Sequence, residues 1–148
     1  MTAFLRRLFR VLSGWVSRSS QAEPVTPDEA LTRYLFESGK YKSSTGTVRP
    51  KAFLPDPHME TSVFRTSGFS DPDIWRIGNK IRPTPAVARA DVLASDVFDA
   101  KLTVVPETSE YENHAIITGW PNEKHERLMR ATLLADAAKL YFPPAGKT

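Results

Sequence analysis

The chain has 148 residues, 41% apolar and 25% charged, the balance of one globular domain with its own core rather than of a disordered chain or one made of membrane spans. Cysteine is absent, which excludes a disulfide framework, a thiolate nucleophile and a cysteine-based zinc site. The net charge of +3 invites a nucleic-acid reading, but residues 1–20 carry Arg6, Arg7, Arg10 and Arg18 and no acid, so residues 21–148 sum to −1. Within them, residues 31–89 hold ten Lys or Arg against five acids and residues 90–126 eight acids against two lysines, an asymmetry that either presents a basic face or cancels in the fold.

In chain order, residues 2–17 place Leu5, Leu8, Phe9, Leu12, Trp15 and Val16 at helical spacing, with Arg6, Arg7 and Arg10 between them. This is a basic amphipathic helix, too short and too charged to span a bilayer and lacking a small-residue cleavage site. It suits an anionic membrane surface, a groove on a protein partner or second copy, or the chain's own domain. The polar residues that follow read as a linker, dividing the chain into residues 1–22 and a single domain over residues 23–148.

Thr26, Pro27 and Glu29 form a capping-box signature that predicts a helix from there to about Glu37, ending at Gly39. Ser43, Ser44, Thr45, Gly46 and Thr47 predict a hairpin tip; a phosphate-binding loop has only one glycine here and no Walker pattern. Residues 48–54 read as an edge strand around Pro50. Residues 61–66 alternate, with Val63 and Arg65 on one face and Ser62 and Phe64 on the other. Ser70 caps a helix carrying Ile74, Trp75 and Ile77 and closing near Gly78.

Residues 87–98 predict a long strand, with a helix open for part of it because of the alanines, and residues 101–105 a further strand. An acidic loop then leads into Asn113, His114, Ala115, Ile116 and Ile117, read as a buried strand closed at Gly119. Asn122 caps a last helix over residues 123–141, with a broad apolar stripe through Leu128, Met129, Thr132, Leu133, Ala135, Asp136 and Leu140, interrupted at one edge. These elements mix without regular alternation. The expected class is therefore α+β, a mainly antiparallel sheet of four or five strands with helices on one face, plus the N-terminal amphipathic helix.

Few residues offer chemistry. His58 and Glu60, two apart in an extended segment, would make a metal set with His114, but the spacing is no metal signature and no metal or other cofactor is expected. His125 sits among acids at the start of a helix, where solvent is its default surrounding. His114, entering a buried strand, is the candidate general base, with Arg65 and Lys51 contacting a phosphate; its alternative is to order the sheet edge through a backbone bond. Ser62 and Thr61 near Arg65, set against Glu110 or Glu112, would suit cleavage of a nicotinamide nucleotide. Trp75 and Trp120 fit the core better than a base-stacking platform.

The run Ser62, Val63, Phe64, Arg65, then Ile74, Trp75, Ile77, Gly78, and later His114, Ala115, Ile116, Ile117, Gly119, Trp120, Pro121, Lys124, is similar to a group of small bacterial hypothetical proteins over about residues 30–141. The resemblance implies one intact domain and assigns no site. The expected function is that of a small cytoplasmic binding or accessory module, attached through Leu5, Arg6, Arg7, Leu8, Phe9, Arg10, Leu12 and Trp15 to a protein partner, a second copy or the membrane periphery. The alternative is a metal-independent enzyme acting on RNA or a nucleotide, with His114 as general base and Arg65 and Lys51 on the phosphate; direct nucleic-acid binding is a less favoured third reading.

Overall fold

The structure, a computed structural model, describes residues 23–145. The amphipathic segment with Leu5, Arg6, Arg7, Leu8, Phe9, Arg10, Leu12 and Trp15 lies outside the described residues. The fold is α+β. Its elements in chain order are β1 (Ala30–Leu35), β2 (Tyr41–Lys42), β3 (Thr47–Val48), β4 (Thr61–Arg65), α1 (Asp71–Gly78), β5 (Ala88–Leu93), α2 (Ala94–Asp99), β6 (Thr103–Pro106), β7 (His114–Thr118), α3 (Lys124–Ala137) and β8 (Lys139–Tyr141). Single turns of 3-10 helix at Ser38–Lys40 and Pro50–Ala52 flank the β2/β3 hairpin.

Six strands form one sheet in the order β6-β7-β4-β1-β5-β8, every neighbour antiparallel, rather than the expected four or five. Helices cover both faces, not one. Leu31, Val63, Ala90, Val92 and Ile117 meet α2, α3 and the Pro50–Ala52 turn through Val97, Leu134 and Ala52. On the opposite face Tyr34 and Phe64 meet Ile74 and Trp75 of α1.

The segment expected to be the first helix is β1. Its capping-box residues close a turn instead: the Thr26 N–H donates to the Glu29 carboxylate at 2.8 Å and the Glu29 N–H to the Thr26 carbonyl at 3.2 Å. Beyond the turn, Leu31, Thr32, Tyr34 and Leu35 are all buried, alternately on the two sides of the sheet. A helix lying on a surface buries one stripe; only a central strand buries both sides, so long-range pairing overrides the local signal.

Residues 48–54 are not a strand beyond β3. Pro50 takes up the first position of a 3-10 turn that buries Ala52 and Phe53 completely. The final helix ends at Ala137, because Ala138 is extended and β8 pairs along the edge of β5, opposing Leu140 to Ala90. The expected stripe on that helix holds at Ala135 and is otherwise out of phase. Leu128, Met129 and Leu133 are exposed, while Ala131, Leu134 and Ala135 are buried, where small side chains let the helix approach the Pro50–Ala52 turn, β3 and α2 closely.

Other expectations hold. β4 spans Thr61–Arg65, α1 starts on Ser70, whose hydroxyl accepts from the Asp73 N–H, and the 87–98 segment splits into β5 and α2. Trp75 and Trp120 are buried in the core. β7 is half-buried in alternation rather than fully buried, and Gly119 at φ +89° turns the chain away after it.

Gly78 closes α1 directly against Tyr34. A β-carbon there would stand 2.5 Å from the Tyr34 ring, whose hydroxyl is tied to the Ile74 carbonyl and cannot swing aside. Gly78→Ala is expected to cost about 1–3 kcal/mol by overpacking, read as a lower urea midpoint with an unchanged slope.

Candidate active site

The pairing of β1 with β4 is confined to Leu31 with Arg65 and Thr32 with Phe64. Beyond that point the two strands part, and Arg33 fills the gap. Its Nε donates to the Ala52 carbonyl at 2.9 Å and its Nη1 to the Ser62 carbonyl at 3.0 Å, so one side chain replaces the missing strand neighbour. The opening leads into a cleft of about 300 Å³. Among its lining residues are Arg33, Ser62, Phe64, Arg82, Tyr111 and His114, with the carboxylates Asp56, Glu60 and Glu110.

Strand register brings the reactive pair together. Phe64 lies opposite His114 and Ser62 opposite Ile116, so these four residues share one face, and the Ser62 Oγ meets His114 Nε2 at 2.6 Å. His114 Nδ1 lies 2.8 Å from the Glu107 carbonyl, which can only accept, so Nδ1 carries the proton of the neutral ring. Nε2 is then an acceptor and the Ser62 hydroxyl donates to it. The Glu107 carboxylate stands 3.6 Å from Nδ1 and is itself held by the Ser109 hydroxyl, 2.8 and 2.9 Å from its two oxygens.

The ring is fixed from the side as well. Phe64 packs against the imidazole with centroids 5.1 Å apart and is wedged edge-on between Tyr34 and Tyr111. A serine hydroxyl directed at an imidazole whose far nitrogen is pinned is the arrangement that generates a serine nucleophile. Burial lowers the Arg33 guanidinium to about 10, with repulsion from Arg82 second, and it remains charged at neutral pH. Among the described residues Arg33 makes no ion pair. Through the Ser62 carbonyl it is held in the wall of the cleft that Ser62 and His114 also line.

Of the residues the sequence singled out, His114 and Ser62 meet in the cleft; Arg65 and Lys51 do not. Arg65 is on the other face of β4 and points away, with Nε and Nη2 on the two oxygens of Glu29 at 2.8 Å and Nη1 on the Glu23 carbonyl. Thr61 shares that face and is bonded to the Phe53 carbonyl, so the nicotinamide-cleaving arrangement is not assembled, although Glu110 does line the cleft. Lys51 is exposed on the 3-10 turn outside the cleft.

His58 is exposed and separated from Glu60 by Met59 at φ +64°, within a turn whose N–H groups converge on Asp56. The extended segment needed for a ligand pair is therefore absent, and among the described residues no group of three or more His, Asp or Glu is placed to hold a metal ion. His125 is exposed.

The Glu29–Arg65 pair is structural. Hydrogen bonding from Arg65, opposed by burial, holds the Glu29 carboxyl below its ordinary 4.5. A depressed folded-state value gives stability that is complete above about pH 4.5 and lost as the pH falls through the folded value. Glu29→Gln is accordingly expected to flatten the fall in melting temperature between about pH 6 and about pH 3.

Arg33, Arg82 and Glu107 escaped the sequence reading. Arg33 was concealed by the capping box that predicted a helix; as the one charged residue of a buried strand it would otherwise have stood out. No family model, curated protein or solved structure matches the chain. No helix among the described residues is long and apolar enough to cross a membrane.

Proposed function

We propose that this protein is an enzyme of nucleophilic group transfer, a hydrolase of small esters in its simplest form. Ser62 is the nucleophile, His114 the general base and Glu107 the group that fixes the imidazole. The observation that carries the reading is the 2.6 Å contact between Ser62 Oγ and His114 Nε2, with the tautomer set by the Glu107 carbonyl, at the wall of a cleft. His114 takes the hydroxyl proton as Ser62 attacks the carbonyl carbon, and Arg33 stabilises the oxyanion. The proton then passes to the leaving oxygen, and water, activated by the same imidazole, releases the acyl group. The test is turnover of para-nitrophenyl acetate by the full chain and by Ser62→Ala; equal rates would remove the reading.

This reading keeps His114 as the base of the enzyme alternative and replaces Arg65 and Lys51 by Arg33. It is compatible with a second role for the N-terminal segment, the attachment of a cytoplasmic protein to a partner, a second copy or a membrane surface. The support is the apolar and basic spacing of Leu5, Arg6, Arg7, Leu8, Phe9, Arg10, Leu12 and Trp15. Removal of residues 1–22 is expected to leave cooperative unfolding and esterase turnover intact while abolishing sedimentation with anionic vesicles or a partner. Loss of folding on that truncation would show that the segment belongs to the domain.

A further inference from the structure

Next to the cleft lies a smaller recess of about 90 Å³ that shares Arg33, Tyr34, Phe36 and Arg82 with it and adds Leu35, Glu37, Lys40 and Ala52. Three of these residues are cations and only Glu37 is a carboxylate. The fold brings the cations in from different elements. Arg33 arrives from β1, and Lys40 ends the first 3-10 turn with its ammonium 3.4 Å from the Lys51 carbonyl. Arg82 stands over the Phe36 ring at 4.5 Å. The Lys51 amine adds a fourth charge nearby, lying 3.4 Å from where a β-carbon on Gly39 would stand.

Among the described residues none of these four cations is in an ion pair. Burial holds the Lys40 ammonium below its ordinary value, with repulsion from Arg33 next. Like charges gathered around a concavity raise the local concentration of anions and favour one that several of them contact together. A planar carboxylate matches a single guanidinium fork. A tetrahedral oxyanion presents oxygens in several directions at once, which suits cations converging from separate elements.

We infer that the recess seats a phosphate group carried by the substrate, so that the compound attacked at Ser62 is a small phosphomonoester-bearing molecule. Its phosphate lies on one side of Arg33 and its reacting bond on the other, since Arg33 borders both spaces. The phosphate is a handle and is not itself cleaved. The inference rests on the Ser62 reading for the identity of the reacting bond, but not for the binding of phosphate.

The test is titration of the full chain with inorganic phosphate at constant ionic strength, followed by amide NMR, for the parent, for Ser62→Ala and for the double variant Lys40→Gln/Arg82→Gln. Saturable shifts centred on Arg33, Phe36, Lys40 and Ala52 are expected in the parent and in Ser62→Ala. In the double variant the apparent Kd should weaken by at least about tenfold, with folding checked by its melting temperature. No saturable shift, or equal affinity in the folded double variant, would overturn the phosphate seat even if Ser62 proves reactive. A phosphate site that behaves as expected beside an unreactive Ser62 would uphold the recess and remove the esterase.

Discussion

Ser62→Ala is expected to lower turnover of para-nitrophenyl acetate by about 10²–10⁴-fold while leaving the fold in place. The hydroxyl loses one hydrogen bond, to His114, and no backbone partner, so the stability cost should be no more than about 0.5–1.5 kcal/mol. His114→Gln should fall to a similar level, because a serine without its base is nearly as inert as no serine. The sharper expectation concerns the pair. In a nucleophile and base that act as one unit, the double variant loses little more than either single one. Independent, multiplicative losses would mean that the two side chains do not work on the same proton.

Arg33→Met should have the largest effect on stability. The methionine stem fills the same space, but the Ser62 and Ala52 carbonyls both lose their donor at the gap between β1 and β4. Each carbonyl left short of a partner costs about 1–3 kcal/mol where water cannot replace it, and the adjoining cleft supplies some water, so a net loss of about 2–4 kcal/mol is expected. For a chain of this size that is a fall of roughly 5–15 °C in melting temperature. Arg33→Lys should not restore it, since an ammonium lacks the planar fork that reaches two fixed carbonyls. The opposing effect is relief of a half-buried cation that no carboxylate pairs with, which can make an apolar replacement neutral. A methionine variant as stable as the parent would contradict the bridging role and leave Arg33 a purely functional charge.

What could be read from the sequence was local. β4 and α1 show themselves through alternation and a serine cap, and the α+β class follows from the mixture of elements. The parity of β4 already placed Ser62 and Arg65 on opposite faces, so only one of them was available to a site on the His114 side. What could not be read depended on partners far away in the chain. β1 carries a good helix start and becomes a strand because its two buried faces are supplied by β4, β5 and the helices on either side. Ser62 and His114 are 52 positions apart, and only the β4–β7 register makes them neighbours. Glu107 reaches His114 because residues 107–113 fold back between β6 and β7, with the Glu107 N–H on the His114 carbonyl at 2.9 Å. Neither alternation nor capping encodes such a return.

The central claim is that Ser62 is an activated nucleophile, and covalent labelling with a fluorophosphonate probe addresses it without knowledge of the substrate. The full chain should take up one equivalent of the probe, mapped by peptide mass spectrometry to Ser62. Labelling should vanish in Ser62→Ala and be strongly slowed in a folded His114→Gln. An unmodified Ser62 in the native protein, or modification at the same rate without His114, would contradict the account.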